Sequence, residues 1–367
     1  MLAGQPAAST QCMSARRVSI LLPCFNARAF LEERMDSILV QTFSDWEAIV
    51  LDSYSTDGSW EFFKSIASND SRFRLHQVPR EGLYAALNRG IKLATGEFLH
   101  IATCDDAMLP DFLATLLEAF TICPEAGIAA CDALLINRDG GQLTIEDMAD
   151  YLPEESINDV LALDVVRSYP VRHDLNYRPP PHDCLLHFSA KSVYFSLTQL
   201  LIRTTLARAV EPFDTTVGSI ADLGWLVRLT NLAGTVHVPR KLTIWRFHGD
   251  QLSVHRDDTR LISIKTMCER ILPEICQHHP GLLTSNDCAA LLLPCKSFLA
   301  TGAIKHFWVR LEGAVRVLLM LFERPAATLR ALGRAHFRVG NPRQSLLPMI
   351  LQRIGLAPKK LSAIEHL

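Results

Sequence analysis

The sequence predicts an α/β fold, an open, mostly parallel β-sheet covered by helices, with a helical extension at its C-terminal end. Three observations carry this. Short apolar, β-rich runs alternate with segments of helical period through the N-terminal third of the chain. The helical segments are long enough to serve as parallel crossovers. Polar and acidic residues collect just after the strand-like runs, where open parallel sheets bind their ligands.

Each element follows from local pattern. Val18–Leu22 is a buried-strand run closed by Pro23. Ala27–Val40 carries Phe30, Leu31, Met35, Ile38 and Leu39 at helical spacing. Trp46–Leu51 is a second strand, Ser55 to Gly58 is turn chemistry, and Trp60–Ile66 a helix that puts Phe62 and Phe63 in the core or on the helix face. Phe73–Val78 is a third strand; Leu83–Ala94 is a helix with Gly96 as its stop. Phe98–Ala102 is a fourth strand running into Asp105 and Asp106, and Pro110 opens the next helix at the favoured first-turn position. From Asn137 to Asp183 the pattern is irregular and contains Pro179, Pro180 and Pro181, which reads as an insertion or long loop over the site. Ala221–Leu232 is a helix, Leu242–Phe247 a strand, and the chain from about Arg260 is mostly helical. The expected organisation is a disordered segment 1–16, an α/β domain 17–255 divided at residue 110, and a helical extension 256–367.

At 367 residues with 49% hydrophobic and 21% charged residues, the chain affords a substantial core. A net charge of -2 gives no push toward nucleic acid, which is not an expected partner. The 10 cysteines form no Cys-x-x-Cys pair and read as reduced thiols, with a zinc site on Cys268, Cys276, His278 or His279 disfavoured for want of a second tight ligand pair. Residues 1–16 lack an apolar run and do not read as a signal peptide, and Met13 is an alternative start. No run approaches a spanning length, so the expected location is cytoplasmic or peripheral at the inner face of a membrane.

The stretch Thr103-Cys104-Asp105-Asp106 offers two carboxylates at a strand end, with no obvious cationic partner in sequence. Hard oxygen ligands suit Mg or Mn, and a divalent cation there would neutralise a departing diphosphate. The same carboxylates also fit an acidic region ahead of a helix N-terminus.

The segment VSILLPCFNARAFLEERMDSILVQTFSDWEAIVLDSYSTDGS (18–59) resembles the opening of family 2 glycosyltransferases, inverting enzymes of GT-A fold that assemble bacterial polysaccharides and glycolipids. The usual series is a strand, Pro-x-Tyr/Phe-Asn, a helix, Gln-Thr, then Val-Asp-Asp-Gly-Ser-Thr-Asp-Gly-Ser. GLYAALNRGIKLATGEFLHIATCDD (82–106) resembles the next block, which leads into Asp-x-Asp. The resemblance covers most of 18–111 in order and spacing. It implies a GT-A domain with a nucleotide-sugar-binding half (17–110) and an acceptor half (111–255). It also implies a nucleotide-sugar donor, UDP-sugar favoured, a glycan or lipid-linked saccharide acceptor, and Mn or Mg as cofactor. Pro23, Phe25 and Asn26 match the loop around base and ribose; Asp52 matches the first acidic residue after strand two. Asp105 matches the metal-ligating last Asp of Asp-x-Asp, and Asp106 the acidic residue that often follows. Ser53 replaces the second acidic residue, and Thr103 the first Asp of Asp-x-Asp. Both can hydrogen-bond but add no charge.

EPFDTTVGSIADLGWLVRL (211–229) resembles the family's Gly-Phe-Asp and Glu-Asp-x-x-x-Trp-x-Arg-Leu, which aligns Asp222 with the general base and puts Ala221 where Glu is usual. A solvent-facing carboxylate at a helix N-terminus is the plainer reading of Asp222. WRFHGDQLS (245–253) resembles Arg-x-His, which makes His248 a ligand of metal or diphosphate, or a surface histidine after a strand, and Arg246 structural. Arg89, on one helix with Tyr84 and Asn88, either meets a donor phosphate or forms a surface ion pair. His182, Asp183 and His187 either line the acceptor side or belong to a structured loop. In His306–Glu323 an aromatic-rich face and, over 305–343, eight Lys/Arg against Glu312 and Glu323 fit either a packed helix or an in-plane membrane helix. The competing function is a catalytically inactive GT-A domain serving as a nucleotide- or partner-binding scaffold.

Overall fold

The computed structural model describes residues 17–144, 147, 171–172, 175–188, 194, 196–248, 260–284 and 288. The expected N-terminal segment, the His306–Glu323 helix and the basic stretch 305–343 lie outside the described residues.

Four strands, β1 (Val18–Cys24), β2 (Trp46–Asp52), β3 (Phe73–Gln77) and β4 (Phe98–Ile101), lie parallel in the order β3-β2-β1-β4. They are linked by α1 (Leu31–Leu39), α2 (Ser59–Ala67) and α3 (Leu83–Leu93), with a 3-10 turn at Arg28–Phe30 leading into α1. Next come β5 (Ala107–Met108), α4 (Phe112–Ile122), β6 (Ala126–Asn137), β7 (Val171–Arg172), β8 (Leu175–Arg178) and α5 (His182–Phe188). The described chain continues through β9 (Leu200–Arg203), α6 (Thr204–Ala209), α7 (Ala221–Leu232), β10 (Gly234–Phe247) and α8 (Arg260–His278). The whole sheet runs β3-β2-β1-β4-β9-β6-β10-β8-β7, with β5 paired to β10.

The sheet is mixed rather than mostly parallel. β9 fills the gap between β4 and β6 and is antiparallel to both. β5 and β8 are antiparallel to β10, which itself runs parallel to β6. Both faces are covered, as a sheet with a parallel core requires. Ile20, Leu22, Ala48 and Val50 pack with Met35, Phe63 and Phe112, under α1, α2 and α4. The alternate residues Leu21, Ile49 and Leu51 pack with Leu87, Ile91, Trp225 and Ile271, under α3, α7 and α8.

Two sequence expectations change. Gly96 is not the stop of α3, which already ends at Ala94 with an extended backbone. It is required by close approach: a Cβ there would meet the Ser19 backbone nitrogen at 2.6 Å and the Val18 carbonyl carbon at 2.8 Å. This contact lets the Gly96 N–H reach the Ser19 hydroxyl at 2.8 Å. That hydroxyl donates to Glu47, whose buried carboxylate also accepts from Arg74 and Thr95. Burial alone would raise the Glu47 pKa, but these donors hold it below the usual carboxylate range. Pro110 precedes α4 rather than opening it; Asp111 is the N-cap, and the Pro110 carbonyl accepts from Thr42 N–H at 2.8 Å. The irregular stretch also holds more order than expected, since β6 reaches Asn137 and both β7 and β8 fall within it.

His100, in the middle of β4, is fully buried between the Leu200 carbonyl (3.0 Å from Nδ1) and the Arg34 guanidinium (3.4 Å from Nε2). A carbonyl only accepts and a guanidinium only donates, so the ring is held neutral with its proton on Nδ1. Burial, with the Arg34 charge adding to it, pushes its pKa down to about 3. An unfolded histidine takes up its proton near pH 6.5. Between these values the unfolded chain binds the extra proton, so this residue's contribution is present above about pH 6.5 and is lost as pH falls. Urea unfolding of wild type and His100→Gln between pH 7 and pH 5 should show the steeper loss in wild type. Equal slopes would contradict this reading.

Candidate functional site

The carboxyl ends of β1 and β2 are joined by a lattice of local bonds. Cys24 pairs in register with Asp52, and Ser53 N–H donates to the Cys24 carbonyl at 2.8 Å. Asn26 stands at φ +49° and its Oδ1 accepts from Thr56 N–H at 2.8 Å, while its own N–H reaches the Ser55 hydroxyl at 3.0 Å. Ala27 N–H meets the Ser59 hydroxyl at 3.2 Å, and Arg28 N–H meets Asp57 Oδ2 at 2.8 Å. Gly58, at φ +91°, turns the chain into α2, a conformation that only glycine adopts without strain. These bonds explain why polar residues follow both strands. Each side chain caps a backbone group of the other loop.

Within this lattice Asp52 is fully buried. Its Oδ2 accepts from Ser55 N–H at 3.0 Å, whereas Oδ1 has no partner among the described residues. Ser53 is buried beside it, and Phe25 is 38% exposed with the Arg80 guanidinium 3.8 Å above its ring. Arg80 was not singled out from sequence. Its signal was there, a basic residue just past the end of β3, on the same sheet edge as Asp52.

The β4–β5 loop supplies the second part. The Cys104 thiol donates to the Pro23 carbonyl at 3.2 Å, tying this loop to β1. Asp106 is buried and its carboxylate collects four donors: Thr103 Oγ1 at 2.7 Å, Ser196 Oγ at 3.2 Å, Thr198 Oγ1 at 3.3 Å and Arg246 N–H at 3.0 Å. Burial, and then the neighbouring Asp105 charge, push its pKa up to about 7 despite these bonds. Asp105 behaves differently. Its side chain is 25% exposed, and its Oδ2 lies 3.1 Å from His248 Nε2. The His248 ring stacks on Phe30, with centroids 5.2 Å apart.

The acidic pair therefore does have cationic neighbours, contrary to the sequence reading. Arg34 is buried beneath it, with NH1 3.5 Å from the Asp106 carbonyl. Arg246 donates through Nε to the Asp105 carbonyl at 3.0 Å, through NH1 to the carbonyls of Asn137 and Arg138, and through NH2 to Glu33. These partners are hidden in sequence because they come from α1 and from the far end of β10.

The remaining sequence candidates separate. Asp222 lies half-buried in the first turn of α7, where Oδ1 accepts from Leu223 N–H at 2.7 Å. That turn is fixed against α3 by an aromatic stack: Tyr84 on Phe213 at 5.4 Å, and Phe213 on Trp225 at 4.3 Å. Asn88 seals the contact by bonding both backbone groups of Phe213 at 2.9 Å. Arg89, by contrast, points to an exposed ion pair with Glu81. Asp183 fits the structured-loop reading: it is buried, bonded by Arg178 at 2.6 and 2.9 Å, by Tyr194 at 2.8 Å and by His182 at 2.9 Å. Burial opposes its charge, but the Arg178 guanidinium holds it well below the usual carboxylate range. His187 is buried beside this group, and burial pushes its pKa down to about 4.

Residues 19–147 match the family model described as Glycosyl transferase family 2. That match covers 129 of the chain's 367 residues. The chain is 31% identical over 129 residues to the uncharacterized glycosyltransferase YibD of Escherichia coli (strain K12), covering 35% of this chain and 37% of that protein. It is 35% identical over 102 residues to the glycosyltransferase GlyG of Streptococcus pneumoniae serotype 4, covering 28% and 34%. The matched stretch thus spans little more than a third of these relatives. The crystal structure of Staphylococcus aureus TarS 1-349 in complex with UDP-GlcNAc superposes with a TM-score of 0.53 at 15% identity, over 95% of this chain and 90% of that one. This likeness shows the GT-A fold, with its mixed sheet and flanking helices.

The matched segment contains the Asp52 lattice and the Asp105–Asp106 loop, whereas His248, Arg246 and Asp222 lie beyond it. Among the described residues no three His, Cys, Asp or Glu side chains converge on one point, and no helix is long and apolar enough to cross a membrane. The two adjacent carboxylates predict opposite mutational outcomes. Asp106→Ala strands the Arg246 N–H and the Thr103 and Ser196 hydroxyls, and should cost about 3 kcal/mol of stability. Asp105→Asn, on a partly exposed group, should stay within about 1 kcal/mol. Urea denaturation of both variants checks this, and an equal loss in the two would refute the division of roles.

Proposed function

We propose that this chain is an inverting glycosyltransferase that moves a sugar from a nucleotide-sugar donor to a hydroxyl of a glycan or lipid-linked acceptor, with a divalent cation and an Asp222 base. The observation that carries this reading is the meeting of Asp105 and His248, 3.1 Å apart, at the sheet edge that also holds the Asp52 lattice.

The donor set fits Mn or Mg carried in with a diphosphate. One carboxylate oxygen and one imidazole nitrogen leave most coordination positions for phosphate oxygens and water, which is how such cations bind at nucleotide sites. When bound, the cation offsets the charge that develops on the leaving diphosphate. Arg246 and Phe30 hold Asp105 and His248 in place. The buried, unpartnered Oδ1 of Asp52 is suited to accept an N–H or O–H from the nucleoside. Ser53 offers a neutral hydroxyl where a second carboxylate would otherwise select uracil. UDP-GlcNAc, held by TarS, exemplifies the donor class.

Asp222, on the first turn of α7, would take the acceptor hydroxyl proton as the sugar carbon is attacked from the face opposite the diphosphate. A full-chain assay of sugar transfer or donor hydrolysis across UDP-, GDP- and dTDP-sugars, with Mn or Mg, tests the reading. In that assay Asp222→Asn should lower transfer by about 10²–10⁴-fold while donor affinity changes little. Near-full transfer by this variant would move the base elsewhere, and loss of donor binding would make Asp222 structural.

Replacing Ser53 by Asp should shift the ranking of UDP, GDP and dTDP toward UDP in a competition assay, and an unchanged ranking would mean that Ser53 does not read the base.

A further inference from the structure

The loop after β2 contains a residue whose side chain is costly to place where it stands. Tyr54 adopts φ +56°, in the left-handed region that a bulky residue seldom occupies. The bonds on either side impose this conformation. Ser53 N–H is held by the Cys24 carbonyl at 2.8 Å and Ser55 N–H by Asp52 Oδ2 at 3.0 Å. Beyond them, Thr56 N–H is held by Asn26 Oδ1 at 2.8 Å. Glycine, which occupies this point in the Val-Asp-Asp-Gly-Ser series, would adopt it without steric cost.

The Tyr54 ring gains little from the protein in return. It is 58% exposed, and among the described residues it stacks on no other ring. Its position, however, is not arbitrary. It follows directly on Ser53, two positions after Asp52, whose buried Oδ1 has no partner among the described residues, and its loop is bonded to the one that carries the exposed Phe25. Phe25 already has the Arg80 guanidinium over its ring at 3.8 Å. Backbone strain of this kind clusters at ligand sites, where the strained residue meets the ligand.

We propose that the Tyr54 ring is a nucleobase-stacking wall of this chain's donor site, supplying by stacking what Ser53 cannot supply by charge. The inference rests on the nucleotide-binding reading above. Stacking needs only a π-face on the base, so the contact serves any nucleoside diphosphate that the site admits.

The test uses the full chain and calorimetric or competition binding of UDP, GDP and dTDP in Mn or Mg buffer, with inorganic pyrophosphate as the base-free probe. Tyr54→Gly and Tyr54→Asn both suit a positive φ, so each should keep the wild-type thermal midpoint or raise it. Each should weaken every nucleoside diphosphate that the wild type binds by about ten-fold or more, whereas Tyr54→Phe should stay within about two-fold. Pyrophosphate binding should be the same in all four proteins. Retention of nucleotide affinity in Tyr54→Gly and Tyr54→Asn would overturn the proposal. So would a parallel loss of pyrophosphate, or an equal loss in Tyr54→Phe, since neither is a stacking effect. Failure of the wild-type chain to bind any nucleoside diphosphate would overturn the nucleotide reading itself, and this inference with it.

Discussion

The geometry of the site depends on one buried carboxylate. Asp106 receives bonds from its own loop through Thr103, from the turn before β9 through Ser196 and Thr198, and from β10 through the Arg246 backbone. Desolvating a carboxylate is expensive, and only a full set of donors makes it tolerable. That requirement makes the three segments converge. Asp105 precedes the hub and His248 follows Arg246 by two residues, so the hub decides where both can sit. The register of β10 against β6 shifts on either side of Lys241, just before β5 pairs with it at Thr243 and Ile244. Arg246 completes the closure from the side-chain end, linking the Asp105 carbonyl to Glu33 of α1.

The lattice between the loops after β1 and β2 works on a smaller scale and by different means. Its residues are local: Asn26, Ser55, Asp57 and Ser59 bond backbone groups across two loops that parallel strand register already brings together, and Asp52 holds Ser55 N–H within its own loop. Such a site is rigid because each polar side chain has a structural task, which leaves few groups to meet a ligand. Asp52 Oδ1, Ser53 and the exposed rings at the rim are those groups. The first turn of α7 is held by packing: Tyr84, Phe213 and Trp225 form one stack through which α3 orients it.

How much of this could be read from sequence varies with the range of the interaction. β1 to β4 and α1 to α3 were legible because apolar periodicity and turn residues agree, and Ala221–Leu232 was placed to the residue. β6 escaped because Ala126–Asn137 is a run of small and apolar residues with no alternation to mark a strand. β9 is a four-residue run without turn signals at its ends, and its antiparallel insertion is a tertiary fact. Asp52, Asp105 and His248 were singled out by motif. The contact between the last two, 143 positions apart, was not visible, nor was the burial that separates Asp106 from Asp105. The burial of Asp183 was hidden for the same reason, because its Arg178 and Tyr194 partners meet it only in the fold.

The claim that matters most is that Asp105 and His248 share a cation with the donor diphosphate. Pulsed electron paramagnetic resonance of Mn with the full chain and excess UDP or GDP reads this directly, through the nitrogen coupling of a coordinated imidazole. The expected result is a ¹⁴N coupling that appears only when chain, Mn and nucleoside diphosphate are present together, and that disappears in His248→Ala. A coupling that persists in His248→Ala, or a wild-type ternary complex without any nitrogen coupling, would contradict it.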